Sequence, residues 1–187
     1  MAREFLVTYR GTVYPSQCDH MGHMNVMWYV GKFDEASWQL LAAMGLTPSR
    51  LRSEGRGMAA VEQRIEYKRE LYAGDVVTIR SAVMEIREKS IRIAHELRND
   101  DTGSVAATTL IVGVHLDLAS RKASPLPADV QERGILMIDD GTVAAVSGSA
   151  RRHESNRAAF LTDADHEVFE KVHRHSRCLR LWDQIHR

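Results

Sequence analysis

The chain has 187 residues, enough for one well-buried core with a short appendage. Its 25 Lys and Arg cancel its 25 Asp and Glu, which argues against a global field that gathers nucleic acid or an anionic membrane. The longest uncharged apolar run, Val105 to Leu116, is too short to span a bilayer, and MAREFLVTYRG lacks the apolar stretch of a signal peptide. Two distant cysteines, Cys18 and Cys178, do not make a disulfide framework, so the expectation is a soluble, cytoplasmic, globular protein.

In chain order, residues 4–14 mix β-branched and aromatic side chains, stop at Pro15, and read as a first strand. From Trp28 to Met44 the positions Tyr29, Phe33, Ala36, Leu40 and Met44 form one apolar stripe, which predicts a long helix with Lys32, Glu35 and Gln39 turned away from it. Gly45 suits its C-terminal cap and Pro48 forbids continuation. Four strand-like runs follow. Residues 58–71 place Val61, Ile65 and Tyr67 on one parity and turn at Ala73-Gly74-Asp75. Residues 76–86 are rich in β-branched side chains, and 90–98 set Ile91, Ile93, His95 and Leu97 against Arg92, Ala94, Glu96 and Arg98. After the turn at 99–103, residues 105–118 read as a strand buried in a sheet's middle. The expectation is a strand, a long helix and a four-stranded meander: an α+β domain with the helix lying across an antiparallel sheet.

Past Leu126-Pro127, a short helix is expected over 128–134, then a small-residue linker over 141–150. The tail suggests helix around Asp163 to Arg174. Its His166, His173, His175 and Cys178 are conceivable metal ligands, although a solvated basic extension is the plainer reading.

Chemistry is concentrated in QCDHMGHMNVMWY, residues 17–29, on the lip of the long helix. Asp19 precedes Trp28 by nine residues, which is far for a cap, and Asn25 suits that place better. Asp19 reads either as a loop-ordering carboxylate or as a nucleophile or general base. In the second case the main-chain N–H groups at the helix start hold the attacked carbonyl oxygen. His20 and His23 have H-x-x-H spacing, a weak zinc signal without partners elsewhere, and no metal or cofactor is expected. Cys18 with His20 is a conceivable thiol dyad. Gly22 permits a tight turn with positive φ. Met21, Met24, Met27 and Trp28 suit the wall of an apolar pocket or ordinary core, and Trp38 is as readily core.

The stretch CDHMGHMNVMWYVGKFDEAS resembles the signature of the 4-hydroxybenzoyl-CoA thioesterase family of hotdog-fold acyl-CoA thioesterases. Asp19, Gly22, His23, Asn25 and Tyr29 stand where that family shows an aspartate, a glycine, a following His and Asn, and an aromatic before the helix. The order of elements and the closing Leu126-Pro127 agree with it, and the resemblance covers about residues 4–135.

It implies a hotdog fold over residues 1–137, a long α-helix wrapped by a five-stranded antiparallel sheet, with 138–187 as linker and C-terminal extension. It further implies hydrolysis of an acyl-CoA to free acid and CoA, with Asp19 as the catalytic carboxylate and amides near Asn25 and Val26 as oxyanion donors, His23 beside them. The His-Gly-Gly loop of a second subclass is absent, which favours Asp19 over Glu35. The turn Arg87-Glu88-Lys89-Ser90 is implied to hold the CoA phosphates. Met24, Trp28, Tyr29, Lys89 and Ser90 make the expected substrate-binding set. A homodimer or homotetramer with sites at the subunit seam is implied. The rival readings are a hotdog hydratase or dehydratase and a non-catalytic acyl-CoA binding module. The sequence leaves the acyl group open: an aryl group, a short branched chain or a cationic group such as betainyl.

Overall fold

The computed structural model describes residues 5–138. Its elements are β1 (Leu6–Thr12), a 3₁₀ turn at Pro15–Gln17, α1 (Val26–Ala43), α2 (Pro48–Ser53), β2 (Arg56–Tyr67), β3 (Val76–Ile86), β4 (Ser90–Asn99), β5 (Val105–Asp117), β6 (Lys122–Ala123) and α3 (Ala128–Leu136). The linker, the tail helix and the tail His and Cys residues anticipated above lie outside the described residues.

All strand pairs are antiparallel, in the order β1-β3-β4-β5-β2, with β6 on the end of β5. This corrects the expected meander: β3, β4 and β5 follow one another, but β2 lies at the far edge beside β5, from Arg56 opposite Asp117 to Tyr67 opposite Ala107. The physical reason is β5 itself. Thirteen largely apolar residues leave two rows of peptide groups to satisfy, and β4 occupies only one row. The crossover from β2 to β3 is anchored by Leu71, which is buried beneath the helix.

The apolar stripe of α1 is buried as its spacing demands, and Gly45 ends it at φ +93°. Pro48, which forbids continuation of α1, starts α2 instead, where Thr47 caps by accepting from the Arg50 N–H at 3.2 Å. Lys32 departs from expectation. It is buried rather than turned away, because its ammonium donates to the Tyr9 hydroxyl at 2.9 Å and lies 5.1 Å from that ring's centroid.

The core has two ends. Tyr29, Phe33 and Met24 meet Leu71, Val77, Ile79 and Leu97 near the start of α1. Leu40, Leu41 and Met44 meet Val83, Ile91, Ile93, Leu126 and Val130 near its finish. Between them His95 stacks on Phe33 and bridges helix to sheet. Ser37 donates its hydroxyl hydrogen to the Phe33 carbonyl at 2.8 Å, so it accepts from His95 Nε2 at 2.9 Å. That fixes the tautomer: Nδ1 accepts from Ser81 at 2.5 Å, and Ser81 contacts Thr8 at 2.6 Å. One helix across a curled antiparallel sheet is the hotdog arrangement anticipated from the sequence.

Candidate active site

The loop before α1 is a small closed hairpin. Cys18 bridges Met24, the Asp19 N–H donates to the His23 carbonyl at 3.1 Å, and the Gly22 N–H returns to the Asp19 carbonyl at 3.0 Å. Gly22 sits at φ +86°, where a side chain would strain the backbone, so the turn requires glycine here. The Met24 N–H donates to the Leu71 carbonyl at 2.7 Å and ties the loop to the β2–β3 crossover.

This frame presents Asp19 as a half-buried carboxylate. One oxygen accepts from the Met21 N–H at 2.9 Å and the other from the Asn25 side-chain amide at 3.0 Å. The Met21 bond above all, with Asn25, His23 and His20 in support, holds Asp19 below the usual carboxylate range, against burial as the next-largest effect after the Met21 bond. Asp19 is therefore ionised at neutral pH and keeps lone pairs free for a reaction partner.

Asn25 is the cap expected of it: its side-chain oxygen accepts from the Met27 N–H at 3.0 Å. Its own N–H, however, donates to the Gln17 carbonyl at 2.9 Å. Of the two amides expected to bind the thioester oxygen, the Asn25 one is thus already engaged. Val26 is the first helical residue, so its N–H has no acceptor within the helix, and among the described residues no loop carbonyl takes it.

The other expected residues divide. His23 Nε2 lies 3.7 Å from a Glu70 oxygen. Trp28 is half-buried against the core, and Tyr29 is buried, its hydroxyl donating to the Arg69 carbonyl at 3.4 Å. Met24 is only 1% exposed, which corrects its place as a pocket wall: the loop's closure turns it inward while Met21 and Met27 face out. Cys18 Sγ points to the Tyr14 carbonyl at 3.8 Å, away from the dyad considered with the exposed His20. Among the described residues no group of three or more His, Cys, Asp or Glu is gathered as metal ligands.

Lys89 and Ser90 stand apart. Their turn closes through the Arg87 N–H and the Ser90 carbonyl at 2.9 Å, and the Lys89 carbonyl accepts from the His115 N–H at 2.9 Å. The loop carrying Asp19 sits by the start of β3 and this turn follows its end, so the 11 residues of β3, roughly 35 Å, separate them within one protomer.

Sequence reasoning missed the far wall of the site. The helix packs chiefly on β1, β3 and β4 and leaves an open strip towards β2. Val26 and Val30 line its helix side, 57% and 41% exposed. On β2, Gln63, Ile65 and Tyr67 lie opposite Ile111, Thr109 and Ala107, which places them on the helix-facing side of the sheet. Tyr67 is 50% exposed and meets Tyr29 edge to face, centroids 5.2 Å apart at 88°. The signal available in the sequence was the shared parity of Ile65 and Tyr67; their edge position depends on the non-local pairing with β5.

Comparison with known proteins agrees with the geometry. The profile of the thioesterase-like superfamily matches residues 13–134. The betainyl-CoA thioesterase of Pseudomonas aeruginosa is 25% identical over 130 residues, 70% of this chain and 82% of that protein. The L-carnitine dehydrogenase/betainyl-CoA thioesterase of Agrobacterium fabrum is 28% identical over 109 residues, 58% of this chain and 22% of the longer relative. A Staphylococcus aureus protein solved in complex with CoA superimposes with a TM-score of 0.68 at 19% identity, covering 76% of this chain and 92% of its own. The 1,4-dihydroxy-2-naphthoyl-CoA thioesterase of Synechocystis does so with a TM-score of 0.63 at 20% identity, covering 71% and 96%. With the fold in place and the match spanning both the Asp19 loop and the sheet, the chain belongs to the thioesterase-like superfamily and is a thioester hydrolase by class.

Proposed function

We propose that the chain is an acyl-CoA thioesterase whose Asp19 acts on a thioester carbonyl held at the start of α1. The observation that carries this reading is the pairing of an ionised, oriented carboxylate with an uncommitted Val26 amide at a helix N-terminus. The reaction converts R–CO–S–CoA and water to R–COO⁻, CoA thiol and a proton. Thioester resonance is weak, so one main-chain donor and the helix dipole polarise the carbonyl usefully.

Asp19 works by one of two routes. As nucleophile it displaces CoA thiolate to give a mixed anhydride that water then opens; as general base it takes a proton from the attacking water. Both routes use the ionised carboxylate, which the Met21 and Asn25 hydrogen bonds favour. Asn25 orients the carboxylate, and His23 closes the loop behind it.

The second half of the proposal is a homodimer. A 12-residue edge strand with an unpaired outer row invites pairing with a second copy. A two-fold axis beside β2 sets the strands of the two copies antiparallel and exchanges the ends of the sheet. The partner's Lys89 turn then approaches this protomer's Asp19 loop, which joins two features that one protomer keeps apart. The names of the two curated relatives make betainyl-CoA the first acyl-CoA to assay.

The test is a thiol-release assay across short-chain, branched, aryl and betainyl CoA esters. Release of CoA from at least one supports hydrolysis. Binding or hydration without release contradicts it.

A further inference from the structure

Beyond Val26 the helix and the β2 edge meet in an aromatic corner. Tyr29 lies one helical turn beyond Val26, a rise of about 4.5 Å. Its buried ring reaches from the helix to the Arg69 carbonyl just past β2. Tyr67 stands perpendicular to it and half exposed, forming the strand-side wall, while Val26 and Val30 form the other. The Tyr67 ring, held upright against the buried Tyr29, offers one open electron-rich face to a small guest.

A carboxylate stands beside the rings. Glu70 follows three residues after Tyr67, accepts from the Tyr72 hydroxyl at 2.6 Å and lies 3.7 Å from His23 Nε2. Tyr29 is pushed up to about 12, by burial first and Tyr67 next, with Glu70 and Asp75 acting in the same direction. Arg64 falls on the opposite parity of β2 and lies 3.6 Å from Glu66, so it faces away from the corner. The carboxylates nearest the corner are Asp19, Glu70 and Asp75, while Lys68 and Arg69, exposed between Tyr67 and Glu70, are the neighbouring cations.

We infer that Tyr67, with Tyr29 beneath it and Glu70 beside it, selects acyl groups that carry a quaternary ammonium close to the thioester carbonyl. The inference rests on the thioesterase reading and specifies its acyl subsite. A carbonyl pinned at Val26 places its α-substituent within one helical turn of Tyr29, in reach of the Tyr67 face. A trimethylammonium suits that place: it is bulky enough to cover the open Tyr67 face, has no N–H to satisfy, and is attracted by ring faces and carboxylates. A neutral branched chain of the same shape gains the contact area without the electrostatic attraction.

The experiment compares betainyl-CoA with 3,3-dimethylbutyryl-CoA, its uncharged isostere, by thiol release in wild type and in Tyr67→Leu, Tyr67→Phe and Glu70→Gln. The readout is the ratio of kcat/KM for the cationic over the neutral ester, which a general loss of folding or of catalysis leaves unmoved. Wild type is expected to favour betainyl-CoA by about tenfold or more. Tyr67→Leu is expected to lower the ratio about tenfold, Tyr67→Phe to hold it within about twofold, and Glu70→Gln to lower it about threefold. Glu70 is largely exposed, so its variant serves if Tyr67→Leu does not fold. A wild-type ratio of one or less, or a ratio unmoved in both Tyr67→Leu and Glu70→Gln, overturns the inference while leaving hydrolysis standing. Failure to release CoA from any ester fails the thioesterase reading instead.

Discussion

One side chain joins the Asp19 loop to the helix: the Asn25 amide nitrogen donates to Asp19 at 3.0 Å while its oxygen accepts from the Met27 N–H at 3.0 Å. The cap of α1 and the orientation of the candidate carboxylate are therefore one hydrogen-bonded unit, and the two halves separate by substitution. Asn25→Ala loses both and is expected to cost about 1 kcal/mol of stability. Asn25→Asp keeps a good cap but replaces the donor with a second carboxylate, which raises the Asp19 pKa and moves the acid limb of the kcat/KM profile to higher pH. Denaturant melts and pH profiles of the two variants check this; an acid limb that stays in place in Asn25→Asp would disconnect Asn25 from Asp19.

Gly22 holds the loop closed at φ +86° with open space around it. Gly22→Ala meets no clash, so its cost is backbone strain alone, about 1 kcal/mol. Because that strain falls inside the hairpin that presents Asp19, turnover is expected to fall more than stability suggests. A variant that loses stability but retains full kcat would show that the loop tolerates reshaping.

His95 provides a pH signature. Burial holds it at about 3, well below its ordinary 6.5, so between those values the unfolded chain binds a proton that the folded chain refuses. Its contribution is complete above about 6.5 and declines as the pH falls, by up to about 1.4 kcal/mol per pH unit. Depressed carboxylates such as Asp19, Asp117 and Asp129 act in the same direction but nearer their own range, around pH 4 and below. Urea melts of wild type and His95→Phe from pH 7 to 4.5 are expected to diverge, with the steeper loss in wild type. Parallel curves would mean that His95 is not buried as a neutral ring.

The dimer proposal has a sharp consequence. If one site combines Asp19 of one copy with Lys89 of the other, co-expressing Asp19→Asn with Lys89→Glu yields mixed dimers that each hold one intact site. Half of the dimers are mixed and each has one of two sites intact, so about a quarter of wild-type activity is expected at low substrate. A site confined to one protomer gives only the average of the two crippled parents. Sedimentation of wild type checks the assembly separately.

Much of the fold was legible because it was local. The stripe from Tyr29 to Met44, the alternation through Ile91, Ile93, His95 and Leu97, and the Asn25 cap follow from spacing alone, and the structure agrees at each. Long-range pairing was not legible. Nothing in residues 56–67 announces that they pair with β5 rather than β3, and the open strip with Tyr67 on its wall depends on that choice. Lys32 was misplaced for a related reason: helical periodicity assigned it to water, whereas Tyr9, from a strand 23 residues earlier, supplied a hydroxyl and a ring face to receive it. Within the site, the loop placed Asp19, His23 and Asn25 together as their spacing suggests, yet the engagement of the Asn25 N–H by Gln17 was invisible without coordinates.

The most direct measurement is the turnover of Asp19→Asn on the best acyl-CoA of the panel. The substitution keeps an acceptor for the Met21 N–H, removes the charge and gives up the bond from the Asn25 amide, so a denaturant melt that confirms folding accompanies an expected fall in kcat of roughly 10² or more with a smaller change in KM. Thiol release at the wild-type rate from a correctly folded Asp19→Asn protein would contradict the account at its root.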